Sequence, residues 1–160
     1  MQYDSIMKDF FELIRWNHWA KNVFVLAPLF FSGDYYDISN VAQALKAFFI
    51  FCLVSSCVYI FNDLLDFEAD SAHNKKRLRP LPSGRISKPM AVLILSIMFI
   101  SACLLLYILR MPINFIYVVL LYALINLIYS MGLKNIPVLE LILVSSGFVL
   151  RLVGGGEALS

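Results

Sequence analysis

Four long apolar stretches, Val41 to Phe61, Met90 to Leu109, Ile113 to Met131 and Pro137 to Val153, constrain this chain more than any other feature. A helix needs about 20 mainly apolar residues to cross the hydrocarbon core of a bilayer, and these runs are near that length. A shorter fifth run, from about Trp19 to Ser32, has Trp16 and Trp19 placed for the headgroup level. Sixty-one per cent of the residues are hydrophobic and only 15% are charged, which excludes an ordinary soluble domain. Ahead of the spans, Tyr3, Ile6, Met7, Phe10, Leu13 and Ile14 recur at helical spacing among Asp4, Lys8, Asp9 and Glu12. That pattern predicts an amphipathic helix on the membrane surface. The expected fold is therefore all-α: a polytopic transmembrane bundle of about five spans, preceded by an interfacial helix and forming one integral membrane domain over residues 1–160.

Charge divides the loops into two classes. Lys8, Arg15 and Lys21 precede the first span, Lys75, Lys76, Arg77, Arg79, Arg85 and Lys88 fill the 62–89 loop, and Lys134 separates the last two spans. All of these fall on one side, which the positive-inside rule makes cytoplasmic. The other side carries Asp34, Asp37 and the lone Arg110. No signal peptide is expected, because charged residues interrupt the opening segment before any long apolar run. Cys52, Cys57 and Cys103 lie within apolar runs and read as small buried hydrophobes without a disulfide framework.

The 62–89 loop carries the chemistry. Asn62-Asp63-Leu64-Leu65-Asp66-Phe67-Glu68-Ala69-Asp70 closes the second span and is followed at once by His73 to Pro80, rich in lysine and arginine. On a continuous helix Asp63, Asp66 and Asp70 share one face, with Asn62 at its edge. Carboxylates crowded in this way repel one another unless a cation joins them. Mg²⁺ suits such a place, since it takes one or two carboxylates and accepts its other oxygens from water and substrate phosphates. A wetted helix end is the alternative, although capping does not call for a stripe of like charges. Arg77, Arg79 and Arg85 are candidates for bidentate phosphate contacts, while lysines in such a loop serve topology as readily as chemistry. Pro80-Leu81-Pro82-Ser83-Gly84 forms a stiff turn able to fold the basic run back over the acidic face.

Charges inside a span call for a polar cavity or a partner, which draws attention to Glu140 and Arg151. About 16 Å of helix separates them, too far for direct pairing. Glu140 is close enough to the cytoplasmic end to share a cavity with Asp66; Arg151 either snorkels or faces a partner. Asn114 and Asn126 are expected to hydrogen-bond between helices.

The pattern Asn62-Asp63-x-x-Asp66-x-x-x-Asp70, with Arg79-Pro80-Leu81-Pro82-Ser83-Gly84 after it, resembles the first aspartate motif and arginine-proline loop of the UbiA superfamily of intramembrane prenyltransferases. Within it, Arg15, Trp19, Lys21 and Asn22, the run His73-x-x-Lys76-Arg77-x-Arg79-Pro80, Tyr129-Ser130-x-x-Leu133-Lys134 and Gly147-Phe148-Val149-Leu150-Arg151 are similar to the decaprenyl-phosphate phosphoribosyltransferase branch. Trp16 and His18 replace that pattern's proline and glutamine, and Glu140 stands where an aspartate is expected.

The resemblance implies a larger fold of about nine spans, of which this chain corresponds to the N-terminal part, with the second aspartate motif lying beyond it. It implies Mg²⁺-dependent transfer of 5-phosphoribose from phosphoribosyl diphosphate to a polyprenyl phosphate. On this basis Asn62, Asp63, Asp66 and Asp70 are expected to hold the metal, the three aspartates being catalytic. Arg15, Lys21, Asn22, Tyr59, Lys76, Arg77, Arg79, Tyr129 and Lys134 are expected to bind substrate, with Arg15 and Lys21 near the lipid phosphate. The expected setting is the bacterial cytoplasmic membrane with the N-terminus and active-site loop inside, no nucleic acid as partner, and a homo-oligomer possible. Competing readings are an aromatic prenyltransferase with a polyprenyl diphosphate donor, a non-catalytic half-length protein binding a lipid phosphate, and a small transporter.

Overall fold

The computed structural model describes residues 2–132 and 137–160, among which there is no strand. Helix α1 covers Gln2–Leu13, and a 3-10 helix over Trp16–Leu26 leads into the short α2, Ala27–Ser32. Helix α3, Ile38–Leu65, is the longest and is followed by the short α4, Phe67–Ala72. The last three are α5, Lys88–Ile108, α6, Ile113–Ser130, and α7, Pro137–Leu159. Four helices are long and apolar enough to cross a membrane: Ile38–Leu65, Lys88–Ile108, Ile113–Ser130 and, within α7, Leu141–Leu159.

The fifth expected span, Trp19 to Ser32, has a different form. Most of it is 3-10 helix, 11 residues long in all, and only the six residues of α2 are α-helical. A 3-10 helix rises about 2.0 Å per residue against 1.5 Å for an α-helix, so the two pieces together reach about 30 Å despite their short length. Residues three apart eclipse one another in a 3-10 helix, which sorts the segment into stripes. One stripe meets α3: Trp19 Nε1 donates to Ser56 Oγ at 3.0 Å, Asn22 Nδ2 to Ser55 Oγ at 3.1 Å, and Val25 is fully buried. These contacts hold an uncommonly long 3-10 run that an isolated chain would not favour.

Helix α3 is the centre of the bundle. Its apolar window is 61% buried, against 17% in α5 and 22% in α6, whose outer faces carry Leu93, Ile97, Phe99 and Leu104, and Tyr117, Leu120 and Leu124. An exposed apolar surface on that scale is what a bilayer covers. Asp37 starts α3 by accepting from Ser39 N at 2.7 Å, and Ser87 starts α5 in the same manner. One core gathers Val25, Ile50, Phe51, Phe115 and Tyr122; a second, nearer the C-terminal end of α3, gathers Leu13, Ile14, Ile60, Leu81 and Ile86. Leu81 and Ile86 belong to the polar loop, so its proline turn is pinned to the protein by buried side chains.

Helix α7 runs past the expected end at Val153 and through Gly154, Gly155 and Gly156. The reason is close approach. A Cβ on Gly155 would lie 2.0 Å from the carbonyl oxygen of Val25, and one on Gly154 would lie 2.7 Å from the Phe51 ring. Small residues at these positions let α7 touch the 3-10 helix and α3 directly, and that packing outweighs the weak helix propensity of glycine. Cys52 and Cys57 are buried free thiols as expected, whereas Cys103 is exposed on α5.

Candidate functional site

The C-terminal end of α3 places Asn62 and Asp63 where the loop returns. Asp66 is the kink between α3 and α4, its backbone leaving helical values while Asp70 N still bonds to Asp66 O at 2.8 Å. The chain is therefore not one continuous helix through the motif, yet Asp63 and Asp70 meet the same partner. Both are buried, at 2% and 1% exposure. Arg79 Nη1 donates to Asp63 Oδ1 at 3.2 Å and to Asp70 Oδ2 at 2.5 Å. Arg15 donates to the same Asp63 oxygen, and Lys76 Nζ lies 3.5 Å from Asp70 Oδ1. The proline turn brings Arg79 back as expected: Ser83 N bonds to Arg79 O and Ile86 N to Pro80 O, both at 3.0 Å, with Gly84 at φ +76°.

Arg15 reaches Asp63 from an unusual backbone position. Its φ of +52° lies in the left-handed region, which costs a non-glycine residue about 1 kcal/mol or more. This residue turns the chain from α1 into the 3-10 helix. It also starts that helix's second stripe, in which Arg15, His18 and Lys21 line a cavity and Phe24 continues against Phe148 at 5.3 Å. The Arg15 guanidinium sits 4.8 Å from the centre of the Tyr59 ring, and His18 meets that ring edge-on at 5.0 Å.

The cavity measures about 280 Å³ and opens beside the Asp63 cluster, with Arg15 common to both. Its walls include Tyr59, Asn62, Tyr122, Asn126, Tyr129 and Ser130, and its inner end holds Gly147 and Arg151. Asn22 is placed behind the wall, fully buried, so in this structure its amide supports Arg151 and Ser55 of α3. Arg151 does not snorkel: it is 5% exposed and makes three hydrogen bonds to protein oxygens. Asn126 bonds to Tyr122 O of its own helix at 2.8 Å, where an interhelical partner was expected.

The loop's other charges have structural partners or stand outward. Arg85 joins Asp9, Glu12 and the Leu78 carbonyl, clasping α1 to the loop. The hydrogen bond to Glu12 is the main cause pushing its pKa above the usual guanidinium value, with Asp9 adding to it. His73 Nδ1 accepts from Lys75 N and Lys76 N, so it braces the loop. Arg77 is exposed and takes part in no ion pair among the described residues. Lys134 lies outside the described residues, as does the side chain of Glu140.

A match to the UbiA prenyltransferase family model extends over residues 23–160. The chain belongs to this family. Among its relatives are decaprenyl-phosphate phosphoribosyltransferases of Mycolicibacterium smegmatis, 36% identical over 96% of this chain and 49% of the relative, and of Corynebacterium glutamicum, 35% identical over 91% and 44%. The Mycobacterium tuberculosis protein of that name is 35% identical over 91% of this chain and 49% of its own length. The chain thus spans about half the length of these curated relatives. A solved structure from work on digeranylgeranylglyceryl phosphate synthase in membranes shares the UbiA fold, with a TM-score of 0.82 at 24% identity over 96% of this chain and 53% of that one.

Two features decide whether the UbiA motif here suits Mg²⁺. The Asn62 Oδ1 atom is buried with no hydrogen-bond partner, an oxygen donor of the hard type that Mg²⁺ accepts, next to the Asp63 carboxylate. Against that, no three acidic, histidine or cysteine side chains converge among the described residues. Asp63 and Asp70 are instead answered by Arg15, Arg79 and Lys76. The donors fit an ion that takes few protein ligands and completes its shell from substrate phosphates, provided Arg79 yields its place.

Proposed function

We propose that this chain is the N-terminal part of a membrane transferase that moves 5-phosphoribose from phosphoribosyl diphosphate to the phosphate of a polyprenyl lipid. The observation that supports it best is the union, through Arg15, of a buried Asp63–Arg79–Asp70 cluster with a polar cavity at the same end of an apolar bundle. Such a layout gives a charged phosphorylated donor and a lipid-borne acceptor a common meeting place. The relatives named for this reaction lend it support.

In the reaction, a phosphate oxygen of the lipid bonds to the anomeric carbon of the ribose. The bond from that carbon to the diphosphate breaks, and the diphosphate leaves with the electron pair. A phosphate monoester is already anionic near neutral pH, so no residue need act as general base. Arg79, Lys76, Arg77 and Lys134 hold and neutralise the diphosphate, and Arg79 exchanges its carboxylates for phosphate oxygens as it does so. Asp63, Asp66, Asp70 and Asn62 are the residues to hold Mg²⁺, which when bound would offset the charge of the departing group. Tyr59 and Tyr129 shape the cavity wall, and the isoprenoid tail lies between helices open to lipid. By charge asymmetry the loop faces the cytoplasm, the compartment of soluble phosphorylated metabolites.

The Asp66→Asn variant tests this reading. Mg²⁺-dependent transfer of label from phosphoribosyl diphosphate into lipid falls at least a hundredfold with folding and membrane insertion unchanged. Unaltered transfer in the variant contradicts it.

A further inference from the structure

Arg151 sits about four turns into α7 from Pro137. Its Nε donates to Asn22 Oδ1 at 2.7 Å, its Nη1 to Gly147 O at 2.7 Å, and its Nη2 to the Tyr122 hydroxyl at 2.9 Å. All three acceptors are neutral, and no ion pair among the described residues involves Arg151. A buried cation without an opposite charge costs several kcal/mol, and evolution tolerates it where a ligand supplies the anion. A guanidinium has five N–H donors, so two remain at the cavity wall.

The rest of the cavity has the same bias. Arg15, His18 and Lys21 line it, and no carboxylate appears among its described lining residues. Arg15 is answered by Asp63, which leaves Lys21 and Arg151 as cavity cations without an ion pair among the described residues. Two further polar atoms are buried without a partner, Asn62 Oδ1 and His18 Nδ1. Asn62 Oδ1 faces the metal motif, while His18 Nδ1 pairs with a ligand hydroxyl in either ring tautomer, since a hydroxyl both donates and accepts. At about 280 Å³ the space lies at the small end for ligand pockets.

We propose that this cavity is the seat of a phosphorylated sugar: its phosphate monoester on Arg151 and Lys21, and a ring hydroxyl on His18 Nδ1. It is a subsite distinct from the Asp63–Arg79–Asp70 cluster, which is left to the diphosphate. The inference rests on the transferase reading for the ligand's identity and on the cavity alone for its binding of phosphosugar. Arg151 is thereby a specificity-determining residue, with Asn22 and Tyr122 as positioning residues that hold its guanidinium plane.

The test is equilibrium binding of labelled ribose 5-phosphate to the whole chain in detergent without Mg²⁺, with farnesyl phosphate and inorganic phosphate as competitors. Saturable binding is expected, weakened about tenfold or more by Arg151→Gln and by Lys21→Ala, with Arg151→Lys intermediate and Lys46→Gln unchanged. Lys21 is exposed, so its variant decides the matter should Arg151→Gln fail to fold. Absence of binding, indifference to both Lys21→Ala and Arg151→Lys, or preferential displacement by farnesyl phosphate overturns the proposal; the last marks a lipid-headgroup site. Phosphosugar binding without any transfer, by this chain and by a C-terminally extended one alike, refutes the transferase reading and leaves this subsite standing.

Discussion

Replacing Arg79 by alanine removes the one side chain among the described residues that bonds to both Asp63 and Asp70. It breaks hydrogen bonds to Asp63 and Asp70, each charge-assisted and worth about 1.5–3 kcal/mol in a buried setting. The Arg79 side chain is 30% exposed, and Arg15 and Lys76 remain to meet the carboxylates, so the net cost is about 3 kcal/mol rather than the full sum. For a chain of this size that corresponds to a fall of about 6–12 °C in Tm. Thermal unfolding in detergent, followed by tryptophan fluorescence, measures it. The Arg79→Ala, Asp70→Asn double variant regains about half of the loss, because one of the two stranded charges is gone. A fall of less than 2 °C, or a double variant as destabilised as the two single changes added together, would refute a clamp built on Arg79.

Three other perturbations test separate parts of the structure. Gly155→Val collides with the Val25 carbonyl, so the variant should lose its monodisperse peak on size-exclusion chromatography, whereas Gly156→Ala, with nothing within 4 Å, should keep it. Arg85→Ala frees α1 from the loop; limited proteolysis should then cut near Ile14 and Arg15 several times faster, with Tm lowered by only a few degrees because the bond is partly exposed. Asn22→Ala strands the Arg151 Nε donor and should cost about 1–3 kcal/mol in thermal unfolding, while Asn17→Ala, exposed on the same 3-10 helix, should cost less than 0.5 kcal/mol.

The apolar runs made α3, α5, α6 and α7 legible because a bilayer imposes one length and one hydrogen-bonding solution on a spanning segment. Residues 16–32 were harder to read. Their pattern has a period of three, and a reading at 3.6 residues per turn disperses Arg15, His18 and Lys21, which the 3-10 helix sets in one line. The continuation of α7 through three glycines was hidden for a related reason, since only the approach of Val25 and Phe51 shows why side chains are excluded at Gly155 and Gly154. At the site, residue types announced an acidic motif meeting a basic loop, and Asp63, Asp70, Arg15, Lys76 and Arg79 do come together. The pairing itself was not legible: crowded carboxylates suggest a metal, whereas guanidinium groups meet them here. Arg151 near the end of an apolar run resembles a snorkelling residue until Asn22, 129 positions earlier, is seen to bond to it. His18 carried a signal that was available, a polar ring three residues from both Arg15 and Lys21.

The most direct test of the transferase account supplies labelled phosphoribosyl diphosphate and decaprenyl phosphate to the purified chain in detergent, with and without Mg²⁺, and counts label in the lipid fraction. The prediction is lipid-borne label that requires Mg²⁺ and disappears in Asp66→Asn. Label left in the aqueous phase by folded, monodisperse samples of both this chain and a C-terminally extended one, or transfer that is equal without Mg²⁺, contradicts the account.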